Sequence, residues 1–182
     1  MPLADKTPGG YTVLSGLHGL LEAVVTRLLA CRLIEENGIV VIHQHSADLY
    51  NYLKRVIEKT LGICAVVSVT RADHGTPSMA PMLREVRIRV AVHENVFLNQ
   101  SSSGTKIPAL TVAEASLPWL HYWTAPSDIN PNAYVLTMAQ NDTLKEDTSS
   151  ELRPGGVITW AANFETRACV ACAECEAEEE AP

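Results

Sequence analysis

The stretch Arg84-Glu-Val-Arg-Ile-Arg-Val-Ala-Val-His-Glu94 decides the fold. Val86, Ile88, Val90 and Val92 alternate with Arg87, Arg89 and His93, and a period of two puts each set on its own face of a β-strand. One face is therefore suited to a core and the other to polar contacts. Upstream, Ile63-Cys-Ala-Val-Val-Ser-Val-Thr70 is a short β-branched run starting directly after Gly62, and it reads as a second strand. The intervening stretch 72–83, with Asp73, Gly75, Pro77 and Pro81, is too long for a tight hairpin turn and predicts a projecting loop.

Working outward, Leu17, Leu20, Leu21, Val24, Val25, Leu28 and Leu29 recur at steps of three and four, so the spacing predicts one amphipathic helix from Leu14 to Glu36, ended by Asn37-Gly38. Ile39-Val-Val-Ile42 follows as a buried strand. Ser46 then offers an N-cap oxygen to a second helix whose stripe is Leu49, Leu53, Val56, Ile57 and Leu61. Beyond the decisive strand, Asn99-Gln-Ser-Ser-Ser-Gly-Thr-Lys106 is flexible and polar by composition, and 108–123 has helical spacing that Pro118 must kink or split. Strands are predicted at 133–139 and 156–166, with an acidic, Ser-rich connection over 140–155. The order is roughly αβαββαββ, which gives an α+β class: a single domain over 12–168, with a mostly antiparallel sheet flanked by two to three helices. Residues 1–11 read as a flexible lead-in and 169–182 as an acidic, cysteine-bearing tail.

The chain has 182 residues, 47% hydrophobic and 19% charged, with a net charge of −7. Residues 169–182 hold five glutamates and no Lys or Arg, so residues 1–168 carry 14 basic and 16 acidic groups, a balance of −2. Such a body has no basic stripe with which to neutralise phosphates, and specific nucleic-acid binding is not expected. Leu20–Ile34 is interrupted by Glu22, Arg27 and Arg32 and falls short of the roughly 18 apolar residues of a membrane span. The first ten residues lack the pattern of a secretory signal, which predicts a reducing cytosol and makes Cys31 and Cys64 buried thiols.

Two constellations could hold a metal. His43 and His45, at i and i+2 on a strand, can share an ion, although no third and fourth ligand accompanies them in a known spacing; the plainer reading is two polar residues at a strand end. Cys169, Cys172 and Cys175 have thiolate spacing suited to zinc or part of an iron–sulfur site, against an acidic tail with incidental thiols. Together they define an alternative reading as a small metal-binding module or metal-dependent enzyme. Gly-x-Ser-x-Gly, phosphate-loop and dinucleotide fingerprints are missing from the sequence, and no enzyme activity, catalytic residue or cofactor is expected. Arg84, Arg87 and Arg89 are read as lining one strand face, either to meet carboxylates of a neighbouring subunit or as an exposed sheet face. Trp119, Tyr122 and Trp123 cluster with His121 at a helix end, as a buried anchor against the sheet or as an interface hot spot.

This element order, with the alternating Arg87-Ile-Arg-Val-Ala-Val-His93 and the final Gly156-Val-Ile-Thr-Trp-Ala-Ala-Asn-Phe164, resembles the tail terminator and tail completion proteins of long-tailed bacteriophages and prophages over residues 12–166. The resemblance implies an α+β subunit of a hexameric ring that caps the tail tube, stops its polymerisation and meets the head-completion proteins of the neck. It implies a virion tail protein assembled in the host cytoplasm, with no catalytic residues and no membrane. Arg84, Arg87, Arg89, Trp119 and Trp123 become its candidate interface residues, the arginines facing acidic loops such as 140–151 of the next subunit. The tail after residue 168 has no counterpart in the family.

Overall fold

A computed structural model of the chain describes residues 17–44, 62–74, 83–102, 104–125, 135–148 and 156–169. The alternating stretch lies at the centre of a six-stranded sheet, as β3 (Leu83–Asn95) between β2 (Ile63–His74) and β6 (Val157–Cys169), both antiparallel to it. β1 (Val40–His43) adds to β2 in parallel. On the far side of β6 lie two short pieces, β4 (Thr137–Met138) and β5 (Leu144–Glu146), both antiparallel to it. The result is an α+β fold with a mostly antiparallel open sheet.

One face of the sheet carries the core. Val86, Ile88, Val90 and Val92 of β3 are buried there with Ile63, Ala65 and Val67 of β2 and Ala162 and Phe164 of β6. Two helices cover this face: α1 (Leu17–Leu29) over β1 and β2, and the helix Ala109–Leu120 over β3 and β6. Leu20, Leu21, Val24 and Leu28 are the buried stripe of α1, as their spacing predicts.

The helix expected over Leu14–Glu36 is interrupted. Cys31 adopts an extended conformation (φ −71°, ψ 122°), which ends α1 at Leu29 and makes Cys31 the N-cap of a separate short helix, α2 (Arg32–Glu36). Its carbonyl accepts from both Ile34 and Glu35 N–H at 2.9 Å. α2 then closes as the Asn-Gly pair predicts: Gly38 (φ +60°) lies in the left-handed region, Ile39 N–H bonds the Ile34 carbonyl at 3.0 Å and Gly38 N–H the Glu35 carbonyl at 3.1 Å. The second helix expected over 46–61 lies outside the described residues, as do the lead-in 1–11 and the tail beyond Cys169.

The strands around the presumed loop are longer than composition implies. Pairing of β2 with β3 continues through Asp73↔Glu85 to His74↔Arg84, so both strands run into the stretch read as a break. β3 leads straight into α3 (Val96–Asn99), and in the polar segment after it, read as flexible, Thr105 and Ile107 are hydrogen-bonded to Asn99. α4 (Ala109–Leu120) contains Pro118 and is neither split nor stopped there. A proline in the last turn forfeits a single internal hydrogen bond, and the helix ends two residues later with His121 N–H on the Leu117 carbonyl at 2.9 Å.

Candidate functional site

The face of the sheet away from α1 and α4 is polar where the alternation places arginines, and a cleft of about 390 Å3 opens on it. Thr70, Arg87, Arg89, Lys145, Asp147 and Asn163 are among its lining residues. Its rim exists because of a wide bulge. Between Met138↔Phe164 and Leu144↔Ala162 the edge chain spends residues 139–143 opposite Asn163 alone. Asn163 holds both ends of that excursion: its carbonyl accepts from Ala139 N–H at 3.0 Å, its N–H donates to the Thr143 carbonyl at 2.8 Å, and its side-chain amide donates to the Asp142 carbonyl at 2.6 Å. Asp142 turns the chain with φ +58°, a conformation Asp tolerates better than most residues. β5 therefore forms inside the acidic stretch read as a loop, because its pairing depends on a bulge that no local pattern encodes.

Within the cleft the cations are matched by carboxylates of the same chain. Arg87 pairs with Glu165 across the β3–β6 ladder, Arg89 pairs with Asp147 just past β5, and Lys145 lies 3.6 Å from Asp142. The acidic stretch expected to meet these arginines does supply the partner of Arg89, from its own subunit. Arg84 does not belong with the other two. The β3–β6 register runs without a shift from Leu83 to Asn95, so Arg84 shares the parity of Val86 and Ile88, opposite to that of Arg87 and Arg89.

Next to the ion pairs lies a row of three strands. Cys64, His93 and Thr159 are register partners, and the His93 Nδ1 to Thr159 Oγ1 distance is 2.9 Å. Burial, with the Arg89 charge adding and Asp147 opposing, pushes the His93 imidazole down to about 4, so it is neutral at neutral pH. Burial pushes the Cys64 thiol up to about 12. A thiol held that far from ionisation is no nucleophile.

Of the candidate metal ligands, His43 and Cys169 lie among the described residues, and they are far apart. His43 stands in the row Val67–Val90–Ala162, whereas Cys169 ends β6 beside Leu83, seven residues further along that strand. At a strand rise of about 3.3 Å, those seven residues alone are about 23 Å, so one ion cannot be bound by both. Among the described residues, no three His, Cys, Asp or Glu side chains converge as ligands. His45, Cys172 and Cys175 lie outside the described residues.

No known family model matches this chain, and no curated protein matches its sequence.

The tryptophans sit at the edge of the core. Trp119 and Trp123 are both half-buried and pack against it, and the Trp119 indole N–H donates to the Arg27 carbonyl at 2.7 Å, fastening the end of α4 to the end of α1. Two other aromatics are surface features: Phe97, which sequence reasoning missed, and Tyr122, which it named as one of the helix-end cluster. Phe97, on α3, is 81% exposed, and Tyr122 is 74% exposed. Both are placed by local contacts. Tyr122 has φ +60°, donates its N–H to the Leu136 carbonyl at 2.8 Å and stacks on His121 with ring centroids 3.9 Å apart. Phe97 lies against Gly156, where a Cβ would come within 3.1 Å of its ring, and beside a second cleft of about 370 Å3 shared with Val96, Val157 and Ile158. A bulky residue at positive φ costs about 1–3 kcal/mol, and such strain concentrates where a side chain must be placed. Neither position carries a periodic sequence signal.

Proposed function

We propose that this protein is a structural component of a long-tailed phage or prophage, a subunit of a tail-terminator-type ring that caps the tail tube and joins it to the neck. One observation carries the reading most directly: two large aromatic side chains, Phe97 and Tyr122, are held in solvent by backbone that is itself fixed by hydrogen bonds, positive φ or close packing. Rigid exposed aromatics are the side chains that most often dominate contact surfaces. Phe97 lies by Gly156 and Val157 at the start of β6, and Tyr122 is bonded to Leu136, next to the Thr137 that pairs with Glu165 late in β6, so one subunit offers two different patches. Two unlike patches give a head-to-tail contact, the kind that closes into a ring when the rotation between subunits permits. The α+β class, with a mostly antiparallel open sheet, is the class that the resemblance implies.

Because Arg87 and Arg89 are satisfied within the chain, the contact rests on the aromatic patches rather than on those charges. The expected result is a ring of about six copies in solution or on tube ends, seen by light scattering and negative-stain imaging, in line with the closed symmetry of most oligomers. Phe97→Ala and Tyr122→Ala should each abolish the ring while leaving the monomer folded. Tubes of the encoding phage that go uncapped by the wild-type chain, together with a monomer at every concentration, would refute the reading.

A further inference from the structure

Five large hydrophobic side chains are exposed among the described residues, and they fall into two groups. Leu29, Tyr122 and Val135 form one: Leu29 ends α1, whose Arg27 carbonyl takes the Trp119 indole N–H, and Val135 precedes Leu136, whose carbonyl takes the Tyr122 N–H. Phe97 and Ile158 form the other, beside the second cleft. The groups lie towards opposite ends of β6. The Val135 carbonyl accepts from the Thr166 hydroxyl at 3.3 Å, while Val157 lines the cleft, and the nine residues of strand between them span about 30 Å. One copy cannot bring its own two patches together.

The two patches also differ in charge. At the first, the Arg27 guanidinium lies over the Trp119 ring, 4.1 Å from the centroid, and among the described residues it makes no ion pair. With its Nε buried and its plane set by the indole, the fork is already ordered for a carboxylate. At the second, the ionisable residues lining the cleft are Glu146 and Asp147, both acidic. Asp147 is engaged by Arg89, and Glu146 is exposed. We propose that the Arg27–Trp119–Tyr122 patch of one copy seats on the Phe97 cleft of the next, with the Arg27 guanidinium on the Glu146 carboxylate. This rests on the ring reading above and specifies its contact. Trp, Tyr and Arg are the residue types that dominate contact energies, and a cation meeting a carboxylate fixes which surface is accepted and in what register. Because the patches are unlike and far apart, each copy keeps one of each open until a ring closes.

The test reverses the charge on each side in the full chain, under reducing conditions, and reads both the mass in solution at low salt and the capping of tube ends. Arg27→Glu and Glu146→Arg should each weaken assembly by about tenfold or more, since like charges then meet. Mixed in equal amounts, the two variants should assemble again, because every contact between unlike variants pairs a cation with a carboxylate, and the products should contain both in equal number. Single variants that assemble as wild type does, or a mixture that stays unassembled, would overturn this contact and leave the ring reading standing. A mixture that stops at a dimer would overturn it in favour of a two-fold contact. A wild-type chain that neither assembles nor caps tubes overturns both.

Discussion

A carboxylate oxygen of Glu94, at the end of the core face of β3, accepts the backbone N–H of Ala109, the first residue of α4, at 2.7 Å. The helix N-cap, Pro108, has no side-chain acceptor, so a strand supplies the group that a capping residue would otherwise provide. The other carboxylate oxygen accepts from Asn99 Nδ2 at 2.8 Å. Asn99 in turn donates to the Ile107 carbonyl at 2.8 Å and accepts from Thr105 Oγ1 at 2.7 Å. Glu94 is 6% exposed and Asn99 0%, so a buried network ties Asn99 to Thr105 and Ile107 and orients α4 on the sheet.

Glu94→Gln turns one acceptor into a donor facing another donor, and Asn99 cannot flip to compensate without losing its bonds to Ile107 and Thr105. A loss of about 2–3 kcal/mol is expected, because a buried donor is left unsatisfied. Urea unfolding of the variant against wild type checks it. An unchanged midpoint would mean the network contributes little.

The same loop depends on two close backbone approaches. A Cβ on Gly104 would lie 2.1 Å from the Asn99 carbonyl oxygen and 2.4 Å from that of Leu98, and one on Gly62 (φ +72°) would lie 2.6 Å from Asn99 N. Gly104→Ala and Gly62→Ala should each destabilise by about 2–4 kcal/mol, since backbone rather than a pliable side chain must move. By contrast Gly38 (φ +60°) has nothing within 4 Å, so Gly38→Ala should cost only about 1 kcal/mol, from the conformation alone. Thermal melts of the three variants give the ranking directly.

His93 makes stability depend on pH. Its imidazole is pushed from the ordinary 6.5 to about 4 in the native state by burial, then by Arg89, with Asp147 opposing. As pH falls from 6.5 to about 4 the unfolded chain takes up a proton that the native chain does not, so the stability present above this window is lost through it, by at most about 3 kcal/mol. His93→Gln should flatten that part of the profile. Parallel slopes for variant and wild type between pH 4 and 6.5 would contradict the assignment.

Cys64 is 0% exposed, and its thiol is pushed up to about 12. At pH 8 about one molecule in 10,000 then carries the thiolate, so an alkylating reagent should modify Cys64 only as fast as the protein opens. Mass mapping after brief alkylation should find it unmodified in the native chain and modified in urea. Rapid native modification would refute this burial.

The sequence by itself determined what is periodic. The alternation of Val86 to Val92 set the two faces of the central strand, the three- and four-residue spacing of Leu20, Leu21, Val24 and Leu28 set the buried stripe of α1, and Asn37-Gly38 set the end of the segment after it. Each is a local geometric rule that a single element obeys alone. Tertiary structure decided what depends on partners distant in the chain. β5 exists because Asn163 closes a bulge around 139–143, Arg89 is neutralised by a carboxylate 58 residues away, and α4 is capped by Glu94 from 15 residues upstream. Arg27 and Trp119, 92 residues apart, meet only because α1 and α4 end side by side on the sheet. Such contacts form when the sheet brings remote segments together, and their closure entropy is repaid by burial rather than by any local pattern.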